Sequence, residues 1–277
     1  MGWTPHELNQ GFEWRPTRGP FRRVTAEQAE SYDEQGFFVL ENAFDPDTVR
    51  EVLEELDPME EQTEAFLQTQ KDGRLFIARA GEITFTPQAV TRSPRLREFC
   101  SGPVFRDLVH DLVGTDVRLY WDQSVYKKPG TNEPFPWHQD NGYTFIEPQQ
   151  YLTCWVALTD TDESNGCPWV IPGVHRHGTL AHRLGDLGWV CAEDPPDAIA
   201  APVHAGGIVV FSSLTPHATG PNRTDSTRKS YIVQFAPDGA ETVARDPEGR
   251  TSRTRADAPA HQFRVLVGGR EPGAAEA

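Results

Sequence analysis

His138 and Asp140 stand two residues apart in the segment PFPWHQDNGY, 134–143. On an extended strand, residues i and i+2 leave the same face. An imidazole and a carboxylate would then share one space and offer two ligands to a divalent metal. A third ligand from elsewhere would complete a two-histidine, one-carboxylate set, which suits non-haem iron and leaves positions open for small molecules. The plain alternative is a hydrogen-bonded loop histidine, with Asp140 capping the Asn141-Gly142 turn.

A second cluster offers the third ligand. His217 follows the apolar run IVVFSS (208–213) and a proline turn, and Arg228 precedes SYIVQFA (230–236). A histidine at a strand mouth beside an arginine on the adjoining strand suits a metal-chelating dicarboxylate. The histidine holds the metal, and the guanidinium grips the distal carboxylate through two parallel hydrogen bonds. Arg223 and Lys229 compete with Arg228 for that anion, and an ordinary surface ion pair is the simple reading of any of the three.

The elements that must position these groups change character at Gly114. Before it, Thr25 and Gln28 form a capping box closed by Gly36. Asp45-Pro46 starts an amphipathic helix over 46–56, and Ser93-Pro94 opens a further pair of helices. Residues 25–115 are therefore expected to be mostly helical, behind an arm at 1–24. After Gly114, short β-branched and aromatic runs alternate with Pro/Gly/Asn turns at 117–126, 151–160, 168–172, 208–213 and 230–236. No helix alternates with them. The pattern predicts a mainly β fold with flanking helices, an antiparallel sandwich or jelly roll. Residues 1–237 would form one domain, with its β core at about 116–237. Residues 238–277 read as a polar, flexible tail.

Composition narrows the partners. With 26 basic and 41 acidic residues, the net charge of −15 argues against nucleic acid and anionic membranes. The acids of 41–64 read as a solvated helix face. No run approaches a membrane span, no secretory leader is visible, and Cys100, Cys154, Cys167 and Cys191 suggest free thiols. The expectation is a cytoplasmic enzyme acting on a small molecule; nothing in the sequence sets its oligomeric state.

PWHQDNGY, CWVALTDTDESNGCPWVIPGVHRHG and FSSLTPHATGPN, taken together, resemble the phytanoyl-CoA dioxygenase family of Fe(II)- and 2-oxoglutarate-dependent oxygenases, over roughly 25–237. The resemblance implies a double-stranded β-helix, a cupin-like jelly roll opening onto the metal. It implies His138, Asp140 and His217 as iron ligands and Arg228 as partner of the 2-oxoglutarate C5 carboxylate. Thr219 would help hold that carboxylate, Trp155 would line the cosubstrate pocket, and Gln123 would supply a polar contact. It places His175 and His177 on a turn beyond the site. Gly206-Gly207 departs from the family pattern, which commonly has an acid before the IVVF strand.

The implied reaction uses O2 and 2-oxoglutarate and releases succinate and CO2. Hydroxylation of an unactivated C–H is the default outcome, because Asp140 retains the carboxylate that related halogenases lack. Desaturation, epimerisation or ring closure would use the same residues. A cupin-like metal enzyme or binding protein without 2-oxoglutarate is the rival class. The substrate pocket is expected to be lined by Phe135, Trp137, Tyr143 and Phe145 and roofed by the 178–200 loop with Trp189. Lys127-Lys128 reads as a solvated turn, which favours a free metabolite over an acyl-CoA.

Overall fold

A computed structural model of the chain describes residues 2–273. Period-two alternation organises its β core. In the strand Leu152–Ala157, Leu152, Cys154 and Val156 enter one apolar cluster, while Trp155 and Ala157 enter another. The strand Arg228–Pro237 divides in the same way, with Tyr231, Val233 and Phe235 on one side and Ile232 on the other. Each central strand thus separates an outer core under the helices from an inner core between sheets.

The larger sheet runs in the order Phe37–Leu40, Ile208–Ser212, Leu152–Ala157, Arg228–Pro237, Val117–Lys127, Ile83–Pro87, Ala78–Arg79, Arg74–Leu75. The smaller runs Ile199–Ala200, Pro168–Val170, His217–Thr219, Phe135–His138. The pairs are antiparallel, and the two sheets enclose the inner core as a distorted jelly roll. The helices Pro46–Gln68, Pro94–Cys100 and Pro103–Leu112 cover the outer face, burying Leu56, Leu96, Phe105 and Leu108 completely. Each such side chain stabilises the layer by about 1.5–3 kcal/mol.

Two expectations need correction. The helix expected over 46–56 runs from Pro46 to Gln68 and passes through Pro58. Pro58 and Glu54 both face solvent, so water can meet the Glu54 carbonyl that loses its N–H donor. The region 25–115 is mostly helical, as expected, while Arg74–Leu75, Ala78–Arg79 and Ile83–Pro87, which carry no signal in the sequence, extend the larger sheet. Strands of two residues carry no readable alternation; Ile83–Pro87 pairs with Val117–Lys127 and in turn supplies the edge that Ala78–Arg79 and then Arg74–Leu75 extend.

The segment read as a flexible tail is folded over most of its described length. Glu241–Arg245 pairs with Thr251–Arg255 and with Ile146–Glu147, and Arg264–Leu266 pairs with Val117–Lys127. Phe263, Val265 and Leu266 are buried in the outer core. The 241–255 ribbon is held by backbone hydrogen bonds and needs little apolar surface, so its polar sequence disguised it. Residues 274–277 of that tail, and Met1 of the arm, lie outside the described residues.

Candidate metal centre

The strand Phe135–His138 pairs with His217–Thr219 so that His138 stands opposite His217. The strand ends at His138, but Gln139 keeps an extended backbone (φ −107°, ψ 144°), so Asp140 still projects on the same side. A bulge shifts the register between His217 and Thr219, which brings Phe135 opposite Thr219. Phe135 and His138, three apart, both line the cavity as a result.

The donor atoms of His138, Asp140 and His217 lie within 4.8 Å of one another. His138 Nδ1 donates to the Pro136 carbonyl at 2.8 Å and His217 Nδ1 to the Thr215 carbonyl at 3.0 Å. Both Nε2 atoms are thereby left as the ligating edge. Asp140 Oδ2 accepts from Thr153 Oγ1 at 2.6 Å, while Oδ1 stands 3.8 Å from His217 Nε2. Burial pushes the imidazoles down, to about 3 for His138 and about 4 for His217, so both are neutral near pH 7. Burial also raises the Asp140 carboxyl. A buried carboxylate between two neutral imidazoles is a donor set that a divalent cation completes, and its chemistry fits iron.

Arg228 is 1% exposed. Its Nη1 donates to Ser230 Oγ at 2.5 Å and to the Val125 carbonyl at 3.3 Å, while Nε and Nη2 meet no partner. One edge of a buried guanidinium, two parallel N–H donors, is therefore free, and a carboxylate fits it. Trp155 lies beside it, with its ring centroid 5.1 Å from the guanidinium carbon. Thr219 Oγ1 accepts from Lys127 Nζ at 3.2 Å. The rivals for the anion point elsewhere. Lys229 Nζ is held by Asp57 at 2.8 Å, and Arg223 is exposed.

A cavity of about 550 Å³ opens above the cluster, with His138, Asp140 and Gln123 in its wall. Phe135 and Tyr143 line it as expected, but Trp137 and Phe145 do not. Trp137 packs against Ile171, Val174 and Leu180, and Phe145 stacks on His6 at 5.0 Å. The expected roof is present as a small hairpin, Arg183–Gly185 with Gly188–Val190, whose Trp189 reaches the cavity. The hairpin of Arg74–Leu75 and Ala78–Arg79 forms the facing wall, and the Arg74 guanidinium donates to the Asp186 carbonyl. Reading 74–79 as helical country concealed it.

Sequence reasoning missed three more groups. Thr153 and Gln234 are paired in register and sit beside Asp140. Their parity with Trp155 and Ile232 on the same strands was the available signal. Lys127, read as part of a solvated turn, is fully buried, and only Lys128 looks outward, to Glu60 at 2.5 Å. The 41–64 acids are likewise not all solvated, since Glu60 is buried and Asp57 ties down Tyr126 and Lys229. His175 is buried edge-on to Trp14 at 4.4 Å, away from the cluster. At Gly206, with φ +86°, a Cβ would lie 2.3 Å from the Phe44 carbonyl, so this turn requires glycine.

The model of the phytanoyl-CoA dioxygenase (PhyH) family matches residues 32–230. A phytanoyl-CoA dioxygenase of Arabidopsis thaliana is 22% identical over 248 residues, covering 76% of this chain and 88% of that protein. The solved 2-oxoglutarate-dependent carbocyclase SnoK from nogalamycin biosynthesis superposes with a TM-score of 0.67 at 24% identity, covering 79% and 87% of the two chains. The epimerase SnoN, solved with Fe3+, α-ketoglutarate and a nogalamycin compound, gives 0.61 at 23% identity, covering 78% and 84%. Among the described residues, no helix is long and apolar enough to cross a membrane.

Proposed function

This chain belongs to the phytanoyl-CoA dioxygenase family of Fe(II)- and 2-oxoglutarate-dependent oxygenases, and from that premise we propose that it hydroxylates an unactivated C–H of an uncharged, ring-bearing metabolite of medium size. His138, Asp140 and His217 hold the iron. Arg228 holds the distal carboxylate of 2-oxoglutarate, beneath Trp155 and near Thr219, and Gln123 offers a polar contact from the cavity wall. The observation that carries the reading is the free Nε and Nη2 edge of buried Arg228 in the same inner space as two imidazoles with free Nε2 atoms.

When bound, iron and 2-oxoglutarate supply the oxidation, with O2 consumed and succinate and CO2 released. The protein's part is placement. Neutral imidazoles ligate without first losing a proton. Thr153 fixes one oxygen of Asp140 and so orients the other. Arg228 sets the direction of the cosubstrate through two hydrogen bonds. Tyr143, Trp189 and Phe76 wall the cavity with aromatic surface and keep water from the reacting centre.

The substrate class follows from the wall. Phe76, Phe85, Tyr120, Trp121, Tyr143 and Trp189 contribute to it, and apart from Asp140 it carries no charged side chain among the described residues. Leu75, Phe76 and Leu184 stand exposed on the two hairpins. CoA phosphates would require cations that this wall does not offer. All four cysteines are free, in keeping with a cytoplasmic enzyme.

Anaerobic titration with Fe(II) and then 2-oxoglutarate, read by the visible charge-transfer band, tests the cofactor reading. Succinate release against neutral ring compounds, free acids and acyl-CoAs then tests the substrate class. Mass analysis of the product separates hydroxylation from ring closure or epimerisation, the second reading favoured by the shared fold of SnoK and SnoN. Stimulation by acyl-CoAs alone would overturn the substrate assignment.

A further inference from the structure

We propose that Lys127 is a positioning residue of the cosubstrate pocket, supplying a second positive charge beside Arg228 and setting the Thr219 hydroxyl that faces the distal carboxylate. The inference rests on the reading of Arg228 given above.

Lys127 and Arg228 are direct partners in the antiparallel pairing of Val117–Lys127 with Arg228–Pro237. Residues opposed in this way share a face of the sheet. Both are buried, at 0% and 1% exposure. Their chain neighbours lie on the opposite face and are neutralised there, Lys128 by Glu60 and Lys229 by Asp57. The inner pair has no such counter-ion, and no ion pair involves Lys127 or Arg228 among the described residues. Lys127 Nζ donates to the Gly220 carbonyl at 2.6 Å and lies 3.2 Å from Thr219 Oγ1 and 3.4 Å from the Thr219 carbonyl. All three acceptors are neutral.

Charging both side chains at once in a dry interior is costly unless an anion joins them. Such an arrangement is retained where a ligand completes it. By accepting from Lys127, Thr219 Oγ1 keeps its own proton available for a carboxylate oxygen. Burial and the neighbouring Arg228 charge depress Lys127 to about 6, so the empty pocket holds it mostly neutral near neutral pH. Arrival of a carboxylate favours the charged form, and binding should take up a proton. Among the groups around it, Ile83 on the adjoining strand and Thr219-Gly220 are uncharged, Lys128 points to Glu60, and Arg228 is the charge that acts on it.

The test uses the iron-loaded protein without oxygen, with Lys127→Met, and two probes: 2-oxoglutarate, and 2-oxobutanoate, which chelates in the same way but lacks the distal carboxylate. Lys127→Met should raise the 2-oxoglutarate Kd by about ten-fold or more, leave the 2-oxobutanoate Kd and iron affinity unchanged, and leave the melting temperature unchanged or higher. Calorimetry of the wild type in phosphate and in Tris should show proton uptake with 2-oxoglutarate and none with 2-oxobutanoate. Equal weakening of both probes, or a lower melting temperature with 2-oxoglutarate affinity intact, would make Lys127 a tie for the 219–220 loop and overturn the proposal. So would the absence of proton uptake in the wild type, a result that does not depend on any variant folding. A wild type that binds both probes equally would instead overturn the role of Arg228, and this proposal with it.

Discussion

His138 and His217 occupy one rung of the smaller sheet, their ring centroids 4.1 Å apart, each tethered through Nδ1 to a carbonyl two residues earlier in the chain. Register and tether together aim both Nε2 atoms at Asp140. Alanine at His138, Asp140 or His217 should therefore abolish substrate-coupled succinate formation and strongly weaken Fe(II) binding, because Thr153 and Gln234 cannot complete the ligand set. Near-normal coupled turnover by His217→Ala would refute the assignment.

Arg228→Ala should raise the 2-oxoglutarate Kd by about a hundred-fold, as loss of a buried bidentate partner does, while iron affinity holds. Lys229→Ala and Arg223→Ala should change neither, since Lys229 belongs to Asp57 on the other face and Arg223 is exposed. Charge-transfer titration of the three variants decides among them.

The depressed Lys127 also sets a pH signature of stability. Its folded value, about 6, lies below the ordinary lysine value of 10.5, so between these limits the unfolded chain binds more protons. Stability from this group therefore rises with pH across that window. Lys127→Met should melt above the wild type near neutral pH, and its advantage should shrink as pH climbs toward 10.5. Melting curves of both proteins at matched pH values test it; a constant gap would mean that Lys127 keeps an ordinary affinity for its proton.

Gly188 holds the roof against Tyr143. It adopts φ +119°, and a Cβ there would lie 2.5 Å from the Tyr143 hydroxyl and 2.9 Å from Ile77. Gly188→Ala should cost about 1 kcal/mol of stability through the backbone and lift the hairpin from the cavity. The readout is a higher substrate KM and more 2-oxoglutarate consumed without product, at unchanged 2-oxoglutarate Kd.

Phe105 joins the helical layer to the sheet, with ring centroids 5.5 Å from Phe44, 5.3 Å from Phe99 and 5.3 Å from Phe235. Phe105→Ala should destabilise the fold by about 3–5 kcal/mol and leave cosubstrate affinity untouched in the protein that remains folded. Denaturant titration with parallel charge-transfer measurements separates the two effects.

Local features were legible in the sequence, because their physics spans a few residues. The Thr25/Gln28 capping box, the Asp45 and Ser93 caps and the shared face of His138 and Asp140 all occur as spacing predicts. Lys127 was lost through one residue of strand length. The apolar run was ended at Tyr126, whereas the strand continues through Lys127. With that residue included, alternation alone sends Lys127 inward and Lys128 outward, as it does Arg228 and Lys229. The 74–79 and 241–255 hairpins were hidden for a different reason. Their strands are very short or polar, and their stability resides in backbone pairing that side-chain patterns do not report.

The N-terminal arm is stitched to the segment leading into the roof. Ala181 N donates to the Thr4 carbonyl at 2.8 Å, His6 N to the Thr179 carbonyl at 2.9 Å, and Asn9 Nδ2 to the carbonyls of His177 and Thr179. For protein engineering, residues 2–9 and 177–191 are thus one exchangeable module. A graft that imports another relative's 183–190 hairpin to alter substrate choice should bring that relative's arm with it. A hairpin transplanted alone would meet an arm whose hydrogen-bonding edge was shaped for a different loop.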